Sequence, residues 1–317
     1  MMPLRNTQYE WSSWGKTFNE QRYVKTYKDI PTDGGSNIIE QVTEQVGRVQ
    51  ARLTAVRHVV AVMSGKGGVG KSSMTVNLAA ALARQGQAVG ILDADINGPS
   101  IARMTGVRDH TPQPGTSGMT PAAGALGIKV MSIDLFLPQD ATPVLWDAPT
   151  QQDAYTWRGM MEMAALREFL SDTAWGTLDV LLVDLPPGAD KLPNLADVLP
   201  SLSGAIVVTI PSAVSQMVVA RSITMAKEVV KVSVIGLVEN MAAYVCAHCG
   251  QEEALFPVGR VEALAAEHDV PYLGRVPFDP RLALAADEGA LFMQHHHATP
   301  AGQAIALVAE RVQAFLD

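Results

Sequence analysis

From His58 onward the chain alternates short apolar runs with amphipathic stretches. HVVAVM, AVGILDAD, IKVMSID, LDVLLVDLPP, GAIVVTI, VSVIGLVEN and PYLGRVP are near-continuous in Val, Ile and Leu and predict short buried strands. SSMTVNLAAALARQ, EMAALREFLSD, SAVSQMVVARSITMAKEVV, RVEALAAEH, RLALAADEG and AGQAIALVAERVQAFL carry apolar residues at helical spacing. Strands that are apolar on both faces and separated by helices predict an α/β fold. Its mostly parallel, doubly wound sheet is covered by helices on both sides. The segment Asp109 to Gly127 is rich in Pro, Gly and Thr and reads as a loop between two such units. No internal repeat is present.

Residues 1–57 differ from the rest. Six of the eighteen aromatics fall in the first 28 residues: Tyr9, Trp11, Trp14, Phe18, Tyr23 and Tyr27. PTDGGSN (Pro31 to Asn37) interrupts the chain, and Ile38, Ile39, Val42, Val46, Val49 and Leu53 then recur at helical spacing. The expected organisation is an aromatic arm with one amphipathic helix over 1–57, followed by a single catalytic domain over 58–317. The arm either packs on that domain or docks a partner.

GKGGVGKS, Gly65 to Ser72, opens the chemistry, because it sits between the first strand and the first helix of the domain. Gly65, Gly67, Gly68 and Gly70, with Val69 between the last two, let successive backbone N–H groups turn inward on phosphate oxygens. Lys71 supplies a charge to the β- and γ-phosphates and Ser72 a hydroxyl to Mg²⁺, with Ser73 in the same helical turn. The helix N-terminus adds its positive end. The motif predicts ATP binding.

Carboxylates stand where such a site needs them. Asp93 and Asp95 end the second strand, placed to hold Mg²⁺ through water and to orient an attacking water. Asp184 ends LLVD in the manner of a magnesium-binding carboxylate, and Pro186-Pro187-Gly188 makes a stiff turn with one flexible joint. The Gly188 N–H is placed to sense a γ-phosphate. Asn240 ends a further strand, where the sequence alone reads it as a turn residue.

The chain has two cysteines, Cys246 and Cys249, spaced C-x-x-C. They read as a metal site or a redox pair in a reducing, cytoplasmic compartment. A redox pair belongs at a helix N-terminus, and this one follows a strand. A four-thiolate site needs two more cysteines, and a symmetric dimer supplies them; four thiolates suit zinc or an iron–sulfur cluster. His248 is too close in sequence for a third ligand. His295, His296 and His297 are a conceivable second source, and more simply a polar surface run.

Composition narrows the partners. At 48% apolar, 18% charged and a formal charge of −8, the chain is an ordinary globular domain without the basic excess of a general nucleic-acid binder. No run reaches the ~18 apolar residues of a membrane span. The N-terminal stretch lacks the apolar core of a secretory signal.

Several motifs in one order resemble the Mrp-type family of P-loop ATPases that carry [4Fe–4S] clusters. They are SGKGGVGKSS, LDADINGPS, WRGMM, WGTLDVLLVDLPPG, GAIVVTIP, GLVENMAAYVCAHCG and VPYLGRVPFDP. The early lysine of the phosphate loop resembles that of a wider dimerising class, which includes MinD/ParA proteins and the nitrogenase iron protein. The resemblance implies a homodimer bridged by a cluster on paired Cys246 and Cys249. Lys66 would reach the partner's nucleotide, Asn240 would recognise adenine, and apo iron–sulfur proteins would receive the cluster. Three features depart from the family pattern. Ala189-Asp190-Lys191 replaces Thr-Gly-Asp after PPG and implies slower hydrolysis. Asn97 stands for a tyrosine, and the aromatic arm stands for a separate N-terminal domain. A partition-type ATPase or a zinc-stapled scaffold are the rival readings; the first leaves the cysteines unexplained, the second the carboxylates.

Overall fold

The computed structural model describes residues 38–138, 142, 151–199, 201–246, 248–256 and 260–317. The aromatic arm lies outside the described residues. The sheet has nine strands, and we number elements in chain order. β1 (Val56–Met63), β2 (Val89–Asp93), β6 (Lys129–Met131), β7 (Leu178–Asp184), β8 (Gly204–Thr209), β9 (Val234–Val245) and β11 (Tyr272–Phe278) pair in parallel. β5 (Ala122–Ala123) and β10 (Glu252–Ala254) add antiparallel edges. The order is β10-β9-β8-β1-β7-β2-β6-β5, with β11 also on β9. The expected doubly wound, mostly parallel sheet is the observed one.

Alternation within the strands explains why both faces are covered. Val60, Val62, Ile91, Leu182, Ile206 and Val238 point into one core cluster. α2 (Lys71–Arg84) and α10 (Pro300–Leu316) pack there. Their neighbours Val59, Ala61, Met63, Leu92, Leu181, Val183 and Val207 point into the other cluster, under α4 (Gln151–Asp172) and α6 (Ala213–Thr224). Each fully buried Val or Leu contributes about 1.5–3 kcal/mol relative to exposure, so neither face tolerates solvent.

The amphipathic helix predicted after PTDGGSN is α1 (Ile38–Leu53). Val49 and Leu53 are buried in the second cluster. Arg52 donates from Nε to the Ser171 carbonyl at 2.8 Å and from Nη1 to the Ser117 carbonyl. This part of the N-terminal region therefore packs on the domain beside α4.

Three elements differ from the sequence pattern or were not read from it. The Asp109–Gly127 loop holds a small hairpin, β3 (Gln113–Gly115) with β4 (Gly118–Thr120), and then β5. These strands are only two or three residues long, too short to leave a period in the sequence. α4 begins at Gln151, eleven residues before the apolar pattern starts, so WRGMM is helical. A helix, α5 (Lys191–Val198), follows the PPG turn; Pro193 in its first turn hid it from pattern reading although proline is tolerated there.

Candidate functional site

Strand order brings the phosphate loop and the carboxylates together. β7 lies between β1 and β2, with Val62 and Asp93 both in register with Asp184. The C-terminal ends of the three strands thus form one crevice, where open α/β sheets place ligands.

The loop from Gly65 to Gly70 leads from β1 into α2. Gly68 (φ 78°) and Gly70 (φ 82°) are left-handed, a conformation costly to any residue with a Cβ. Gly65 lies against Val218 of α6, where a Cβ would sit 2.6 Å from a methyl. Among the described residues, the N–H groups of Gly67 to Ser73 have no backbone partner and remain available to an anion. Lys66 is partly exposed, and its carbonyl accepts from Ser64 Oγ at 3.0 Å.

Asp184 is fully buried and the hub of the site. Lys71 Nζ lies 2.5 Å from its Oδ2, Ser72 Oγ donates to the same oxygen at 2.7 Å, and Thr75 Oγ1 donates to Oδ1 at 2.6 Å. Thr75 was not singled out from the sequence. Its signal was the four-residue spacing from Lys71, which puts both on one face of α2. The oxygen donors Ser72 and Asp184 suit a hard cation such as Mg²⁺.

Asp93 and Asp95 divide by environment. Asp93 Oδ2 accepts from the N–H groups of Ser100 (3.0 Å) and Ile101 (3.1 Å) and from Ser132 Oγ (3.1 Å). Burial, and then the neighbouring Asp184 charge, push its pKa up to about 7. These bonds tie the end of β2 to the loop after it. Asp95 is only partly buried, with Oδ1 accepting from the Gly98 N–H at 3.2 Å. Its pKa is raised by burial, against the opposing pull of Lys71. Asp95 is therefore the freer of the two to meet water. Asn97, where a tyrosine was expected, donates Nδ2 to Glu162 Oε1 of α4 at 2.6 Å.

Two expectations about switch and base residues change in detail. The Gly188 N–H donates to the Ser64 carbonyl at 2.9 Å, so meeting a phosphate requires this bond to open. Asn240 lies within β9, opposite Val276 of β11, and is not a turn residue. Its Nδ2 donates to the Val69 carbonyl of the phosphate loop at 2.9 Å.

The cysteines lie at the tip of the β9–β10 hairpin. The Cys246 N–H donates to the Gln251 carbonyl and the Gly250 N–H to the Cys246 carbonyl, both at 2.9 Å. Gly250, at φ 72°, permits the turn. Cys246 is partly exposed and Cys249 exposed. The backbone N–H groups of Cys249 and His248, with the Cys249 thiol, hold the Cys246 thiol below its ordinary pKa. His296 packs on the Phe292 ring at 5.2 Å. Among the described residues no three His, Cys, Asp or Glu side chains gather as a metal site, so the histidine run does not complete the cysteine pair.

The family model described as ParA, NUBPL iron-transfer P-loop NTPase, matches residues 55–313. The chain belongs to this family. An iron–sulfur cluster carrier protein of Methanocaldococcus jannaschii is 43% identical over 249 residues, 78% of this chain and 82% of that one. The cytosolic Fe-S cluster assembly factor NUBP2 of Bos taurus is 42% identical over 265 residues, 82% of this chain and 93% of that one. Among solved structures, a nucleotide-binding protein of Archaeoglobus fulgidus in complex with ADP is 36% identical, with a TM-score of 0.66 over 78% of this chain and 92% of that one. The Pyrococcus furiosus cell division ATPase MinD shares the fold at 19% identity and a TM-score of 0.56, covering 81% of this chain and 98% of that one. As a P-loop NTPase of the NUBPL iron-transfer family, the chain has its phosphate loop and its cysteine pair inside the matched span. Among the described residues no helix is long and apolar enough to cross a membrane.

Proposed function

We propose that this protein is a cytoplasmic, ATP-dependent carrier that holds a [4Fe–4S] cluster between two copies of the chain and passes it to apo-proteins. One observation carries the reading: two thiols at an exposed hairpin tip that follows the strand whose Asn240 bonds the phosphate loop. Two such tips, related by a two-fold axis, present four thiolates, the ligand set of a cubane cluster. The names of the relatives support the cluster over zinc as cargo.

The residues take these roles. The N–H groups from Gly65 to Ser73 and the Lys71 ammonium bind the nucleotide phosphates. Ser72 and Asp184 hold Mg²⁺, which neutralises charge on the β- and γ-phosphates. For Lys71 this means exchanging its Asp184 partner for phosphate. Asp95 orients the attacking water, and Asp93 keeps the loop after β2 in place. Lys66 acts on the partner's nucleotide. Gly188 leaves the Ser64 carbonyl when a γ-phosphate is bound and returns when it departs, and Asn240 holds the loop beneath the base. Hydrolysis is slow, because Ala189-Asp190-Lys191 brings no hydroxyl to the switch turn.

Anaerobic reconstitution tests the cargo. The expected product is brown, with about four irons per dimer, and Cys246→Ser abolishes both colour and iron. A colourless protein that retains one zinc per dimer refutes the reading.

A further inference from the structure

β9 is not one continuous ladder. From Val234 to Asn240 it lies within the main sheet, where Glu239 faces Thr209 of β8 and Asn240 faces Val276 of β11. From Ala243 to Val245 it pairs antiparallel with β10, while Tyr244 keeps β11 as its parallel neighbour. Between these halves the register shifts. Val276 faces Asn240 and Phe278 faces Tyr244, so three residues of β11 span five of β9. Met241 sits at this point with φ 54°, a left-handed conformation that residues with a Cβ seldom adopt. The hairpin carrying Cys246 and Cys249 therefore continues β9 beyond a kink.

The kink touches the phosphate loop directly. Asn240 Nδ2 donates to the Val69 carbonyl at 2.9 Å. A Cβ on Gly70 would collide with the Asn240 amide and lie 3.5 Å from Met241 Cε. Only a glycine lets the loop and the kink approach this closely. Val69 and Gly70 also belong to the turn whose N–H groups lack a backbone partner among the described residues, so a bound anion that resets those peptide planes moves the atoms on which Asn240 and Met241 rest. Asn240 and Cys246 are six residues apart in the chain, at most about 20 Å.

We propose that the Asn240–Met241 kink is the element through which occupancy of the phosphate loop changes the setting of the Cys246–Cys249 hairpin. The inference rests on the function proposed above only for what the hairpin carries. The coupling itself joins a nucleotide and two thiols. A left-handed non-glycine residue at a register shift of β9 against β11 is a place where the backbone can take up such a change.

The experiment follows the reaction of the two thiols with a chromogenic disulfide in the reduced, metal-free, full-length protein, with and without Mg·ADP. In the wild type the nucleotide should change the thiol rates about fivefold or more, an ordinary size for coupling between sites. Met241→Gly removes both the side chain on Gly70 and the left-handed penalty. It should still bind Mg·ADP and melt cooperatively, yet lose the nucleotide effect on the thiols. Met241→Leu, which keeps a side chain against Gly70, should retain it. Thiol rates that ignore nucleotide in the wild type overturn the inference, as does a full nucleotide effect in Met241→Gly. Should Met241→Gly fail to fold, loss of the effect in folded Met241→Ala, against its retention in Met241→Leu, supports the inference, and equal effects in both overturn it. Because no iron is present, a chain that couples nucleotide to thiols but never loads a cluster keeps this inference and loses the cluster function. A chain that loads iron without the coupling does the reverse.

Discussion

Lys71→Ala should destabilise the nucleotide-free protein as well as remove a nucleotide ligand. Lys71 is 7% exposed and Asp184 is 0% exposed, with Nζ 2.5 Å from Oδ2. At an effective dielectric near 20 two unit charges at that distance attract by about 7 kcal/mol. Desolvation of both ions cancels most of this, so the intact pair adds little net stability. Removing one partner is different, since it leaves a charge buried and uncompensated at a cost of about 3–5 kcal/mol. The hydroxyls of Ser72 and Thr75 still donate to Asp184, at 2.7 and 2.6 Å, which places Lys71→Ala near the lower end. The assay is urea unfolding followed by circular dichroism in chelator, without nucleotide, comparing the wild type, Lys71→Ala and the double variant Lys71→Met/Asp184→Leu. The single variant should lose about 3 kcal/mol, and the double variant should lose less than the single one because no buried charge is stranded. Mg·ADP at a hundred times its dissociation constant should stabilise the wild type by about 2.7 kcal/mol and leave Lys71→Ala unmoved. A Lys71→Ala protein within about 0.5 kcal/mol of wild type without nucleotide refutes the reasoning, because surface lysines behave that way.

Two further predictions follow from other parts of the fold. Glu168 on α4 has its pKa raised from 4.5 to about 7, first by burial and then by Asp172, with Arg48 of α1 opposing. The folded state therefore binds this proton more tightly than the unfolded state. The stability it contributes is complete below about pH 4.5 and is lost as pH rises through 7, by up to about 3 kcal/mol. Glu168→Gln should flatten that part of the pH profile in urea titrations at pH 5 and pH 8; an unchanged slope argues against it. In the switch turn, replacing Ala189-Asp190-Lys191 with Thr-Gly-Asp should raise the rate of phosphate release by roughly a hundredfold, the lower bound for a donor that contacts the transition state. An unchanged rate retires the idea that this loop limits hydrolysis.

Sequence pattern alone determined the class of the fold. Strands apolar on both faces can be satisfied only by helices above and below, and that is a local property of each run. It also determined the phosphate loop, since the glycines, Lys71 and Ser72 are contiguous. The cysteine pair was legible for the same reason. Tertiary structure decided which distant groups meet. Placing β7 between β1 and β2 makes Asp184 the common partner of Lys71, Ser72 and Thr75, although Lys71 and Asp184 are 113 residues apart. It separated Asp93, clamped by Ser100, Ile101 and Ser132, from the freer Asp95, two residues that look equivalent in LDAD. It also showed that Asn240 bonds the phosphate loop and that Met241 kinks the strand leading to the cysteines. Hydrogen-bond partners and backbone strain depend on which strands become neighbours, and strand order is a long-range choice that no local period encodes.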